Sequence, residues 1–469
     1  MHTSTTSTVP LVSWTVAQLL EATQGYWLND QAPNTEIKRI LTDSRDAEAG
    51  DAFLALKGER FDAHAFITQV AEQGCQVAIV SQPIDAEICQ LVVPDTRLAL
   101  GQLGAYRRAQ NPQLKVIALT GSSGKTTTKE MLGSILSRIA PTLVTRGNLN
   151  NDLGVPVMLL ELCPEHQYAV MELGASHQGE IDYTSNLVQP LVAGIINIGT
   201  AHLGEFGGRD GICRAKSEIY THIAPNGTSI VPAADDFADS IRQAVQTEQV
   251  LSFGAGGEIF ATEIELQAQS ATFKLNTPQG VRQVNLPFAG EHNVQNATAA
   301  AAFALAIGIS LDDIVLGLEQ AVGAKGRLNF IQQGRHLLID DTYNANPTSM
   351  RAAAEVLAQQ EGVRVMVMGD IGELGSSAAQ QHYMLGRDLV SVKGLNFVVA
   401  VGEFAPAAQE GARSTQYGKK MQAFLTQEQA LPFLLSLIET HQPQSMSFLF
   451  KGSRYTHMET LMADLMEKL

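Results

Sequence analysis

The chain has 469 residues, 45% of them hydrophobic and 17% charged, with mean hydropathy +0.01. That length predicts about three domains, each able to bury its own core, and the composition excludes a disordered chain, a coiled coil and a collagen-like repeat. The 32 Lys and Arg against 48 Asp and Glu give a net charge of −16, which excludes a general nucleic-acid binder but leaves room for a small phosphorylated ligand held by local cations or backbone N–H groups.

Residues 1–14 hold no basic segment followed by an apolar one, so they do not read as a secretory signal. Cys75, Cys89, Cys163 and Cys213 stand apart, with no C-x-x-C pair, and read as reduced thiols of a cytoplasmic protein. The most apolar stretch, 297–309, is too short to span a bilayer. Up to about residue 110, short strands at 52–56 and 76–80 mix with helical segments, and the polar stretch 107–112 reads as a linker.

From Lys115 the rhythm becomes apolar strand, loop, helix. Strands are expected at 116–120, 168–172 and 193–197, alternating antiparallel β at 258–288, and an alanine-rich helix at 293–308. A second αβ series begins near Arg327, with strands at 336–340, 363–368, 397–401 and 448–450. The 40 glycines, the many alanines and only 6% aromatic residues suit close packing of helices on sheets. The expected fold class is α/β in three domains: a small mixed α/β domain at 1–110, a central phosphate-loop domain with a parallel sheet at 111–326, and a doubly wound, Rossmann-like domain at 327–469.

Between an expected strand and an expected helix lies Gly121-Ser122-Ser123-Gly124-Lys125-Thr126-Thr127. Glycines let backbone N–H groups close around phosphate oxygens, the helix N-terminus adds positive potential, Lys125 supplies a point charge, and Thr126 can hold Mg²⁺. The full G-x-x-x-x-G-K-[ST] pattern asks for glycine at 119, where this chain has Leu119. Glu172 ends one expected strand and His202 follows another, so both would project beside the phosphate loop, beyond the carboxyl ends of the strands. Together they can ligate Mg²⁺; each taken alone reads as structural, Glu172 as a helix cap. By pattern alone Lys216 is a solvated lysine on a helix, and Asn293 is an N-cap.

These pieces resemble the Mur ligases, the ATP-dependent amide-bond-forming enzymes of peptidoglycan precursor synthesis, over nearly the whole chain. The family's loop has the form T-G-[ST]-x-G-K-T-[ST], and residues 120–127 read TGSSGKTT, so Leu119 is no departure from it. The resemblance implies that ATP sits on this loop with Mg²⁺, two ions in all, held by Thr126, Glu172, His202 and a carbamylated Lys216. It makes Lys125, Glu172, His202 and Lys216 the catalytic group. The segment G-E-H-N-V-Q-N-A at 290–297 matches the family's adenine-binding segment, with Asn293 at the base. Arg327 matches a boundary arginine that reaches the nucleotide. The D-T-Y-N-A-N-P loop at 341–347 places Asp341 at the ribose; read without the family, it is an Asx-turn leading to a helix with Pro347 at its first position.

Within the family, D-T-Y-N-A-N-P, M-G-D-I-G-E-L-G at 368–375 and K-G-S-R at 451–454 resemble the branch that adds D-alanyl-D-alanine, and the D-N-P-R tetrapeptide of the diaminopimelate-adding branch is absent from the sequence. The segment N-L-N-N-D-L-G-V-P at 148–156, with Asn150 and Asn151, resembles the part that faces the muramyl peptide. Ser44 and Arg45, with the segment 57–64, resemble the uridine-nucleotide-binding segments, although Ala63 stands where the branch often has glycine. The implied substrates are UDP-N-acetylmuramoyl-tripeptide and D-alanyl-D-alanine, joined through an acyl phosphate by a cytoplasmic monomer without nucleic-acid partner or membrane span. The alternatives are another Mur ligase branch, a folylpolyglutamate ligase, or a non-catalytic ATP-binding regulator, against which the retained Lys125, Glu172, His202 and Lys216 argue.

Overall fold

The short apolar runs before residue 110 form a five-stranded sheet in the computed structural model, which describes residues 12–58, 61–200 and 203–469. Its strands are β1 (Tyr26–Trp27), β2 (Ile40–Leu41), β3 (Ala52–Leu54), β4 (Val77–Val80) and β5 (Cys89–Val92), in the order β1-β5-β4-β3-β2. Only the β1–β5 pair is antiparallel. Helix α1 (Thr96–Ala109) follows, capped by the Asp95 side chain, which accepts from the backbone N–H groups of Arg97 and Leu98.

The expected linker at 107–112 is instead largely the end of α1. Arg107 is only 4% exposed, its guanidinium lies 4.0 Å from the centre of the Trp14 ring, and it donates to the Val12 carbonyl. Arg108 Nε donates to the Val188 carbonyl at 3.0 Å, across to the next unit. Arginine suits the last turn of a helix and buries its stem while its head finds carbonyls, so a polar sequence here builds a buttress.

The second sheet runs β11-β10-β9-β6-β8-β7 and is parallel throughout. Its strands are β6 (Lys115–Thr120), β7 (Thr142–Val144), β8 (Tyr168–Glu172), β9 (Val192–Ile195), β10 (Thr228–Pro232) and β11 (Gln249–Phe253). Both faces are covered, which explains the continuous apolar strands. The turn after β6 opens α2 (Lys125–Ser137); one face carries helices that include α3 (Arg209–Ser217), the other α2 and the alanine-rich α4 (Glu291–Ala306). The small residues matter here: a Cβ on Gly194 would meet the Ile230 carbonyl at 2.5 Å and the Phe303 ring at 3.0 Å. That close approach buries Phe303 completely, which stabilises by about 1.5–3 kcal/mol. The alternating stretch forms β12 (Phe260–Leu266), β13 (Ala271–Thr277) and β14 (Gly280–Leu286), an antiparallel sheet as expected.

The third sheet runs β15-β16-β20-β17-β18-β19, with only β15 (Asn329–Gln333) antiparallel to its neighbour. The others are β16 (His336–Asp340), β17 (Val363–Gly369), β18 (Phe397–Val401), β19 (Met421–Phe424) and β20 (Met446–Lys451). Helices α5 (Pro347–Ala358), α6 (Ala378–Ser391) and α7 (Ala405–Arg413) pack with it, and α5 has Pro347 in its first turn and Asn346 as its N-cap. The three-part α/β architecture, with a parallel central sheet and a doubly wound C-terminal one, is the fold class expected from the sequence.

Candidate active site

The loops beyond the carboxyl ends of β6, β8 and β9 face those beyond β16, β17 and β20 across a cavity of about 1640 Å³. Gly121, although in the phosphate loop, lies just behind the lining, whereas Ser122 to Thr127 form the wall. Gly124 has φ +79°, and a Cβ there would come within 2.2 Å of Asn296 Oδ1 on α4, so only glycine fits between the loop and that helix. Among the residues that line the cavity, the donors Ser122 Oγ and Arg209 Nε, and Arg327 Nε from the opposite side, are buried with no hydrogen-bond partner among the described residues. Donors left in this state suit an anionic ligand rather than a dry core.

Lys125, in the first turn of α2, donates from Nζ to the Gly121 carbonyl at 2.8 Å. Burial lowers its pKa, Arg327 adds to that, and Glu172 and Glu373 oppose it. Glu172 ends β8 with both carboxylate oxygens engaged: Asn150 Nδ2 donates to one at 2.7 Å and Thr126 Oγ1 to the other at 3.2 Å. Asn151 turns its Oδ1 back to the Gly154 N–H and also lines the cavity. Lys216, in the last turn of α3, is not the solvated lysine its pattern suggests; it is 2% exposed and part of the cavity wall. Burial pushes its pKa well down, and the neighbouring Lys125 pushes it further.

The alanine-rich helix begins two residues earlier than expected, at Glu291, so Asn293 lies inside its first turn and is no N-cap. Its side chain donates to the Ala289 carbonyl at 2.8 Å and accepts from Asn296 Nδ2 at 3.1 Å. Beside it His292 lines the cavity; burial pushes its pKa down to about 4, with Lys451 adding and Asp341 opposing. From the opposite side Arg327 stacks over the Tyr343 ring at 4.4 Å, and Asp341 pairs with Lys451.

His202 lies outside the described residues. Ser44 and Arg45 sit on the N-terminal unit and do not line this cavity; Arg45 is tied to Asp43, whose pKa it draws down to about 2 by hydrogen bonding. Among the described residues, no group of three or more His, Cys, Asp or Glu side chains is placed to hold a metal. No described helix is long and apolar enough to cross a membrane.

Sequence comparison finds the Mur ligase family along most of this length: its catalytic domain at residues 36–118, the Mur ligase middle domain at 119–304, and the Mur ligase glutamate ligase domain at 326–454. The chain belongs to the Mur ligase family. The UDP-N-acetylmuramoyl-tripeptide–D-alanyl-D-alanine ligase of Escherichia coli K12 is 41% identical over 461 residues, 97% of this chain and 99% of its own. Among solved structures, MurF from Acinetobacter baumannii is 76% identical with TM-score 0.95, covering 98% of this chain and all of that one. MurF from Thermotoga maritima, solved in complex with ADP, is 25% identical with TM-score 0.79 over 92% of this chain and 97% of that one.

This Mur ligase also uses residues that the sequence reading did not select. Asn197 was expected to end a strand, but β9 stops at Ile195. Asn197 instead clasps the phosphate loop: its Oδ1 accepts from Ser123 N–H at 3.0 Å, its Nδ2 donates to the Ser123 carbonyl, and its own carbonyl accepts from Ser122 N–H. Asn346 caps α5 and donates from Nδ2 to Ser123 Oγ at 3.0 Å, crossing from the C-terminal unit to the phosphate loop. Asn197 showed only as a polar residue just beyond a strand, and Asn346 only as a member of the D-T-Y-N-A-N-P loop with no role of its own.

Proposed function

We propose that this Mur ligase joins D-alanyl-D-alanine to UDP-N-acetylmuramoyl-tripeptide with conversion of ATP to ADP and phosphate, in the cytoplasm, forming the pentapeptide precursor of peptidoglycan. The observation that carries this reading is one cavity walled on one side by the phosphate loop with Lys125 and on the other by the D-T-Y-N-A-N-P loop. It agrees with the E. coli relative, a UDP-N-acetylmuramoyl-tripeptide–D-alanyl-D-alanine ligase, and with the A. baumannii and T. maritima neighbours, both MurF.

A carboxylate is a poor acyl donor, so the tripeptide's C-terminal carboxylate first takes the γ-phosphoryl group of ATP. Loop N–H groups and Lys125 bind the transferring phosphoryl and stabilise its charge; Asn197 keeps the loop in shape. Asn293 serves the adenine, Asp341 the ribose, and Arg327 the phosphates from the hinge. Asn150 and Asn151 face the muramyl peptide, and Ser44 and Arg45 serve the uridine nucleotide on the first unit. The dipeptide amine then attacks the acyl phosphate, and phosphate leaves. The approach of the two walls excludes water that would otherwise hydrolyse the acyl phosphate.

The donor set fits Mg²⁺: Thr126 Oγ1 and the Glu172 carboxylate are hard oxygen donors already side by side, and a carbamate on Lys216 would add a third. His202 would complete the set for two ions. When bound, the metal would neutralise charge on the phosphates. The deciding experiment compares D-alanyl-D-alanine, meso-diaminopimelate and glutamate as acceptors in an ATP-dependent ligation assay. Product is expected with the dipeptide alone; ligation of either amino acid instead would overturn the assignment.

A further inference from the structure

Lys129 is a fully buried charge that the chemistry above does not use. It follows Thr126 by three residues and Lys125 by four on α2, so it shares a face of the helix with both. The helix packs against β7 and β8, and the approach is close: a Cβ on Gly133, one turn further on, would meet the Val144 side chain at 3.1 Å. An ammonium in such a place is costly unless it is paired. Its Nζ donates to the Thr145 carbonyl at 2.7 Å and lies 2.9 Å from the Glu130 carboxylate.

Thr145 is itself 1% exposed, just beyond the end of β7. Its N–H donates to the Val170 carbonyl at 3.0 Å, and its hydroxyl oxygen accepts from Glu172 N–H at 3.0 Å. The Glu172 carboxylate in turn holds Thr126 Oγ1 on one oxygen and Asn150 Nδ2 on the other. These contacts close a circuit that leaves α2 at Lys129, passes through Thr145 and Glu172, and returns to α2 at Thr126. The two oxygen donors suited to Mg²⁺ stand on different elements, Thr126 on α2 and Glu172 at the end of β8. Mg²⁺ demands near-ideal geometry at about 2.0–2.1 Å, so whatever fixes those elements against each other governs the site.

We propose that Lys129 is a positioning residue for the metal-binding pair: acting through Thr145, its ammonium sets the Glu172 carboxylate against Thr126. Its role there rests on Thr126 and Glu172 being donors to Mg²⁺, as proposed above. Groups that hold ligands in this way typically govern about 10- to 100-fold of metal affinity without touching the metal.

The test uses full-length enzyme with the non-hydrolysable ATP analogue adenylyl imidodiphosphate, and Mn²⁺ in place of Mg²⁺, its binding read by electron paramagnetic resonance. Lys129→Met removes the charge at similar length, Thr145→Val removes the hydroxyl at similar shape, and Thr145→Ser keeps the hydroxyl. Lys129→Met and Thr145→Val are each expected to weaken Mn²⁺ about tenfold or more, while the analogue binds without metal within about twofold of wild type. The double variant is expected to lose little more than the worse single one, because both cut the same tie. Thr145→Ser is expected to bind Mn²⁺ nearly as wild type does. Should Lys129→Met fail to fold, Thr145→Val decides. Mn²⁺ affinity within about twofold of wild type in Thr145→Val or in folded Lys129→Met, whatever the melting temperature, would overturn the proposal and leave Lys129 a packing contact of α2. Glu172→Ala separates the two levels. If it too binds Mn²⁺ as wild type does, the metal-binding pair is wrongly assigned and the role of Lys129 falls with it; if it alone loses Mn²⁺, the pair stands and only the role of Lys129 falls.

Discussion

Lys451 Nζ lies 2.7 Å from Asp341 Oδ2, with both side chains buried where the last strand of the C-terminal sheet meets the cavity. The same ammonium donates to the Asn344 carbonyl at 3.0 Å, and the other Asp341 oxygen accepts from Leu328 N–H at 3.3 Å. One ion pair therefore joins the end of β20, the D-T-Y-N-A-N-P loop and the hinge beside Arg327.

Removing one partner of such a pair leaves an uncompensated buried charge, at a cost of about 3–5 kcal/mol. Lys451→Met is accordingly expected to lower the melting temperature of the C-terminal unit and to raise KM for ATP, because the loop that carries Asp341 loses its anchor. Calorimetry and steady-state kinetics would check this. A variant with wild-type melting and wild-type KM would show that the pair holds nothing in place.

Asn346 does two jobs that one substitution can separate. Its Oδ1 caps α5 by accepting from Ser349 N–H at 2.8 Å, while its Nδ2 reaches across to Ser123 Oγ. Asn346→Asp keeps a good cap but loses the donor and sets a negative charge against the phosphate loop. Its melting temperature is expected to stay within a degree or two of wild type, while KM for ATP rises about tenfold. Asn346→Ala, which loses the cap as well, is expected to cost about 1 kcal/mol of stability in addition.

The contrast between Lys125 and Lys216 shows what the sequence could and could not reveal. Lys125 was legible because its neighbours constrain it: glycines, a strand before and a helix after are all local. Lys216 lies on a helix whose pattern gives no hint that its charged face turns inward, and the resemblance to the family, rather than periodicity, selected it. Asn197 and Asn346 escaped for a related reason. Their work is done on Ser122 and Ser123, distant in sequence, and contacts of that kind exist only once the strands are in register. Arg107 failed in the other direction, because a polar helix end with buried stems has the composition of a linker.

Acid sensitivity follows from the buried imidazoles. Burial lowers the pKa of His166, His336 and His382, and that of His292 to about 4. Each folded-state value lies below the unfolded value of 6.5, so below that pH the unfolded chain binds protons the folded chain refuses. Stability is therefore complete above pH 6.5 and falls as the pH drops towards 4, by about 2–3 kcal/mol from His292 alone. Asp43, held at about 2 by its hydrogen bonds to Arg45, contributes only at lower pH still. Melting temperatures measured from pH 7 to 4.5 are expected to decline steadily, and His292→Gln to flatten part of the slope. An unchanged slope in that variant would remove His292 from the account.

Lys216 offers a prediction that its burial makes chemically specific. Carbamylation needs a neutral amine: the free base attacks CO₂, the N–C bond forms, and one proton leaves to water, giving an anionic oxygen ligand in place of a cation. A solvated lysine is almost wholly protonated at neutral pH, but burial and the nearby Lys125 ammonium hold Lys216 towards the free base. Enzyme kept in CO₂-depleted buffer is thus expected to lose activity and to regain it on addition of bicarbonate. Lys216→Ala is expected to lose about 100-fold or more in kcat, with partial recovery when bicarbonate or a short carboxylate fills the vacated space. Depleted enzyme that stays fully active, together with a variant showing neither defect nor rescue, would leave Lys216 as a buried lysine that serves packing alone.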